Sequence, residues 1–129
     1  MSRSSVRRLA ATTLSATLLT LAAFTPGCGS TLNSTTWVPP GQTFLLGGGS
    51  VGDYTVSGTN SGQTDVEILS EQDGTTTTVA RLKPGASISH TFTDGQLARF
   101  RNLSATDQAE LTLVVKGQTS SLGMRYQQK

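Results

Sequence analysis

The sequence predicts an all-β domain, a small antiparallel β-sandwich of about seven or eight strands, Greek-key or jelly-roll-like, with a small barrel as the alternative architecture. Three observations carry that expectation. Beyond Gly41 apolar residues recur with a period of two, no stretch offers a sustained helical stripe, and turn residues divide the pattern about every eight to twelve positions.

In chain order, strands are expected near Thr43–Leu46, Tyr54–Gly58, Asp65–Ser70, Thr76–Leu82, Ser87–Phe92, Leu97–Asn102, Glu110–Lys116 and Leu122–Tyr126. Between them fall Gly47-Gly48-Gly49, Asn60-Ser61-Gly62, Asp73-Gly74, Pro84-Gly85, Asp94-Gly95, Ser104-Ala105-Thr106-Asp107 and Gly117. The Asp-Gly and Pro-Gly pairs make turns because glycine enters positive φ freely and proline presets its own φ. Thr75 to Thr78 is a β-branched run that disfavours helix and suits a pleated, half-exposed strand. Alternation assigns faces: Ala98 and Phe100 point one way while Leu97, Arg99 and Arg101 point the other. Ile88, His90 and Phe92 share a side, as do Leu111, Leu113 and Val115. With Tyr54, Val56, Val66, Ile68, Val79, Leu122, Met124 and Tyr126 they form the expected two-sheet core. One echo stands out: Asn60 and Asn102 are each followed by Thr-Asp four and five residues on, which predicts similar hairpin loops in the two sheets.

Ahead of the domain lies an address. Arg3, Arg7 and Arg8 precede the uncharged run Leu9 to Phe24, the layout of a secretory signal. As a helix that run spans about 24 Å, short of the roughly 30 Å hydrocarbon core, so it is expected to be cleaved rather than to anchor. It is followed by Thr25-Pro26-Gly27-Cys28, which resembles the signal peptide of bacterial lipoproteins in Gly27 and Cys28 and departs from that family's preferences in Thr25 and Pro26. The resemblance implies diacylation of Cys28, cleavage before it and a membrane held through acyl chains; Gly29 next to the cysteine is similar to lipoproteins sent to an outer membrane. Ordinary secretion, with Cys28 a free thiol, is the competing reading. The implied division is a signal peptide over 1–27, an acylated flexible tether over 28–41 and a β-sandwich over 42–129. Within the tether Trp37 has two readings, docking on the domain as a first half-strand or sitting at the membrane interface.

Composition narrows function. One cysteine among 129 residues closes no intrachain bridge and builds no multi-thiolate metal site. The net charge of +2 includes the three signal arginines; without them seven Lys and Arg face eight Asp and Glu, so nucleic acid lacks its electrostatic footprint. His90, the one histidine, has Asp94 nearby and is read as a structural strand histidine rather than part of a hydrolytic triad. Asp53, Asp65, Asp73, Asp94 and Asp107 sit near turns without calcium-loop spacing, and no Lys-Ser/Thr follows Gly47-Gly48-Gly49 to make a phosphate cradle. No cofactor is expected. Glu67, Glu71, Arg81, Arg99, Arg101 and Arg125 form either a solvated ion-paired stripe, the simpler reading, or a face for an acidic glycan or protein.

The leading expectation is a non-enzymatic, lipid-anchored envelope protein whose sandwich serves structure or protein interaction, with an envelope protein or glycan as partner. The alternative is a carbohydrate- or small-ligand-binding module, and a hydrolase comes third. The candidate surface comprises Arg99, Arg101, Glu67, Trp37, Tyr54 and Tyr126.

Overall fold

The computed structural model describes residues 30–48, 52–119 and 122–128; the signal segment and Cys28 lie outside them. Among the described residues are nine strands: β1 (Ser30–Val38), β2 (Thr43–Gly47), β3 (Tyr54–Asn60), β4 (Val66–Gln72), β5 (Thr75–Leu82), β6 (Ser87–Phe92), β7 (Leu97–Asn102), β8 (Ala109–Gly117) and β9 (Met124–Gln127). They form two antiparallel sheets, ordered β1-β8-β3-β6 and β5-β4-β7-β2-β9.

The wiring is that of one long hairpin rolled into a sandwich. Its tip is the Asp73-Gly74 turn, where both residues take positive φ, at 52° and 80°, as the two-residue turn matching strand twist requires. Going outward from that tip, β4 pairs β5, β3 pairs β6, β2 pairs β7 and β1 pairs β8. Each of the other strand-to-strand steps crosses from one sheet to the other, and the additional β3–β8 and β4–β7 ladders close the sheets into a jelly-roll order, with β9 added beyond β2.

The expected all-β sandwich is therefore present, with three differences of detail. The tether expected over 28–41 is a nine-residue strand for most of its length, because Ser30–Val38 pairs residue for residue with β8. Its polar composition reads as linker, yet as an edge strand it alternates, turning Leu32, Thr36 and Val38 inward and Asn33, Thr35 and Trp37 outward. The Asn60 and Asn102 loops are not hairpins within a sheet but crossings between the sheets. Met124 and Tyr126, expected in the core, are exposed: β9 is the fifth strand of a sheet that faces only four, so its inward side chains overhang.

The core holds most of the rest of the alternating set, with Val79, Ile88 and Leu122 half-buried against it and His90 outside it. Tyr54, Val56, Phe92, Leu111, Leu113 and Val115 of one sheet meet Phe44, Leu46, Val66, Ile68, Ala98 and Phe100 of the other. Tyr54 stacks on Phe92 with ring centroids 5.4 Å apart, and Phe44 tilts against Phe100 at 6.0 Å. Gly47 admits no side chain, since its φ is +93° and a Cβ would lie 2.4 Å from the Tyr54 hydroxyl oxygen.

At one end of the sandwich the crossings are closed by two buried asparagines, Asn60 at 0% and Asn102 at 2% exposure. The Asn60 carboxamide donates to Thr64 O (2.6 Å) and Leu82 O (2.9 Å) and accepts from Gly62 N (3.1 Å). Asn102 repeats the arrangement, donating to Asp107 O (2.7 Å) and Val38 O (3.0 Å) and accepting from Ser104 N (2.9 Å). Each also ties down a matching turn. Asn60 N donates to Ala86 O after Pro84-Gly85, and Asn102 N donates to Gln42 O after Pro40-Gly41. Thr64 Oγ1 joins the two by donating to Asn102 Oδ1 at 3.2 Å.

Replacing Asn102 by Asp keeps the shape but removes both donors and points a carboxylate at carbonyl oxygens. The expected cost is about 3 kcal/mol or more at neutral pH. Because burial raises the folded-state pKa of such a carboxyl, folded protein holds the proton more tightly than unfolded protein, and stability falls as pH rises from about 4 upward. Urea denaturation across pH checks this, with the exposed Asn33→Asp as a control expected within about 0.5 kcal/mol of the parent. Equal losses in the two variants would contradict the assignment.

Candidate functional site

The outward faces of the two sheets carry opposite chemistry on equivalent strands. On the first sheet Thr55 pairs its hydroxyl with Thr91 (2.8 Å), Ser57 with Ser89 (3.2 Å) and Thr59 with Ser87 (2.8 Å). This is a neutral ladder of small side chains whose hydroxyls satisfy one another across β3 and β6. On the second sheet the corresponding positions of β7 carry Arg99 and Arg101, and all four arginines among the described residues, Arg81, Arg99, Arg101 and Arg125, point outward from this face.

Acidic partners on β4 hold two of these guanidinium groups in place. Arg99 Nη1 is ion-paired with Glu71 Oε1, and its Nη2 donates to Gln127 Oε1 at 2.8 Å, which ties the end of β9 to β7 across β2. Arg101 Nη2 lies 2.8 Å from Glu67 Oε1, close enough for an ion pair, while its angle leaves that buried oxygen without an aligned donor. Arg81 Nη2 approaches Asp65 Oδ2 at 3.2 Å. Cross-strand pairs this wet contribute at most about 1 kcal/mol each, so their main effect is to fix orientation. Beneath the guanidinium stems Leu45 is buried although it faces outward and lies outside the sandwich core. Long arginine stems cover apolar surface in this way.

Between this face and the crossing loops lies a groove of about 510 Å³, lined by Arg99, Arg101, Thr43, the Leu103–Ala105 loop and Gln127–Gln128. The Asn102 network sets its floor. Ser104 Oγ in turn accepts from Thr106 N (3.1 Å) and Asp107 N (2.9 Å), so the loop is ordered by its own side chains. The groove presents amide and hydroxyl donors and a half-exposed Arg101, which suits a polar, hydrogen-bonding ligand surface.

The six candidate residues thus separate. Glu67, Arg99 and Arg101 come together beside the groove, whereas Trp37 faces outward on β1 in the other sheet, opposite Glu110. Tyr126 packs on Phe44 at 5.4 Å from the overhanging strand. Tyr54 is buried, so the three aromatics form no shared platform. His90 packs edge-on against Phe92 at 4.7 Å, and no hydrogen bond joins its ring to a serine hydroxyl or a carboxylate among the described residues. No group of three or more His, Cys, Asp or Glu side chains is gathered to hold a metal ion among them either. The groove's second wall, Gln127–Gln128, had no sequence signal, because only the β2–β9 pairing brings it there. No protein-family model matches the chain, and no curated protein or solved structure matches it.

Tyr54 carries a measurable mark of its burial. Its hydroxyl donates to Gln96 O (2.8 Å) and Leu46 O (3.2 Å), and desolvation pushes its pKa up to about 12 against a smaller opposing effect of the Ala98 backbone. A folded-state pKa above the ordinary 10 means that this stabilisation is complete below pH 10 and is lost as pH rises through about 12. In a Tyr126→Phe variant, whose one remaining phenol is Tyr54, absorbance titration is expected to show ionisation near 12 accompanied by unfolding. Ionisation near 10 with the fold intact would contradict a buried Tyr54.

Proposed function

We propose that this chain is a lipid-anchored protein of the bacterial cell envelope, joined to the membrane by acyl chains on Cys28 and presenting its jelly roll as a non-enzymatic binding module. The observation that carries the reading is the position of the chain's one cysteine. It follows a charged-then-apolar leader, and a single residue, Gly29, separates it from Ser30, where β1 begins. Cleavage before Cys28 would leave a chain whose anchor is covalently continuous with an edge strand of the fold. Two or three acyl chains, at roughly 0.8 kcal/mol per buried methylene, hold such a domain at a bilayer essentially without release.

The arginine-lined groove is the contact surface that best suits a partner. The Arg99 guanidinium is pre-oriented by Glu71 and Gln127, so little of its side-chain freedom remains to be lost on binding. An envelope protein or a glycan with hydrogen-bonding and anionic groups matches that chemistry. Membrane-extracted protein is expected to begin at Cys28 with acyl mass attached, and a Cys28→Ser variant to fractionate as soluble. A mature chain with an unmodified thiol would overturn the anchoring reading.

A further inference from the structure

We propose that the lateral edge formed by β1 and β9 lies on the lipid surface, seating Trp37, Tyr126 and Met124 at the level of the head groups; the inference rests on acylation at Cys28. The starting observation is where exposed apolar surface falls. Among the described residues three large hydrophobic side chains are exposed, Trp37 at 50%, Met124 at 45% and Tyr126 at 51%, and all three stand on β1 or β9.

Those strands occupy the same side of the sandwich. β1 borders one sheet, and the short turn through Pro39–Gln42 carries the chain directly to β2 in the other. β9 is paired outside β2, so it extends the second sheet on the side where β1 ends the first. An indole and a phenol at the rim of a domain place an apolar body beside a polar tip, the combination that favours the membrane–water interface. Cationic groups flank them. Arg125 faces outward on β9, and Lys116 is exposed one strand in from β1, beside Thr31. Near an anionic leaflet each such charge adds attraction of about 1 kcal/mol.

The covalent connection makes this edge the natural occupant of the surface. From Cys28 to Ser30 the chain reaches at most about 7 Å, so the start of β1 cannot leave the head-group region once the cysteine is acylated. Trp37 lies seven residues farther along the strand, about 23 Å away at the usual rise. A domain standing upright on Ser30 would hold Trp37 in water. A domain lying on its edge brings Trp37, Tyr126 and Met124 down together.

Trp37 is the chain's one tryptophan, so its fluorescence reports this position alone. The acylated mature protein is reconstituted into vesicles of equal parts phosphatidylcholine and phosphatidylglycerol, with and without lipids brominated close to the head groups, and vesicle association is read by flotation. Expected are flotation, a blue-shifted Trp37 emission relative to the soluble Cys28→Ser protein, and about a two-fold loss of intensity with brominated lipid. Exchanging the exposed Met124 and Tyr126 for serine is expected to reduce that quenching without unfolding the domain. Flotation with unquenched, unshifted emission overturns edge docking while leaving the anchor intact. A blue shift that needs high protein density and ignores bromine means a second copy covers the edge, which also overturns it. Failure to float overturns the anchoring reading and the edge proposal with it.

Discussion

Two buried carboxamides hold the crossing end of this sandwich together. A rolled hairpin must carry its chain repeatedly from sheet to sheet, and at each crossing the ladder stops and leaves backbone carbonyls facing inward, where water cannot reach them. Asn60 and Asn102 answer that need with one side chain each, offering two donors and an acceptor. Each side chain stitches its own loop to the end of a neighbouring strand, Leu82 O for Asn60 and Val38 O for Asn102. The Thr64 hydroxyl links the two sites. The loop that borders the groove inherits its shape from this network, since Ser104 is positioned by Asn102 and itself caps Thr106 and Asp107.

What could be read from the residues alone follows from the range of each interaction. The bounds of β6 and β7 were legible because β6 alternates strictly, Ala98, Phe100 and Asn102 alternate with Arg99 and Arg101 in β7, and the Asp94-Gly95 turn separates the two. β1 was legible only at Trp37, as a first half-strand; the rest was not, because an edge strand with one solvated face needs few apolar residues, and Ser-Thr-Leu-Asn-Ser-Thr-Thr matches linker composition. The duplicated Asn-to-Asp pattern signalled shared turn chemistry, but whether a loop closes a hairpin or crosses between sheets depends on pairings more than twelve residues apart. Tyr54 and Tyr126 show the same limit. Both point inward by alternation, yet only Tyr54 has a facing sheet to cover it. Arg99, Arg101 and Glu67 were legible as one stripe, and the groove wall made by Gln127–Gln128 was not.

The likeness of the two halves in backbone makes their difference in decoration informative. Equivalent positions carry self-satisfied hydroxyls on one sheet and oriented arginines on the other, and among the described residues the arginine sheet carries a fifth strand and borders the groove. Fold stability asks for neither choice, since both faces are solvated and their pairs are weak. The asymmetry supports the proposal that the arginine face is the one used for recognition.

The crossing end of the sandwich depends on the two carboxamides being closed off from water, and side-chain amide hydrogen exchange measures that directly. With 15N-resolved NMR, the Asn60 and Asn102 NH2 groups are expected to exchange only as fast as the whole domain unfolds, far more slowly than the exposed Asn33. Exchange of either group at the rate of Asn33 in the folded protein would contradict the central role given to them here.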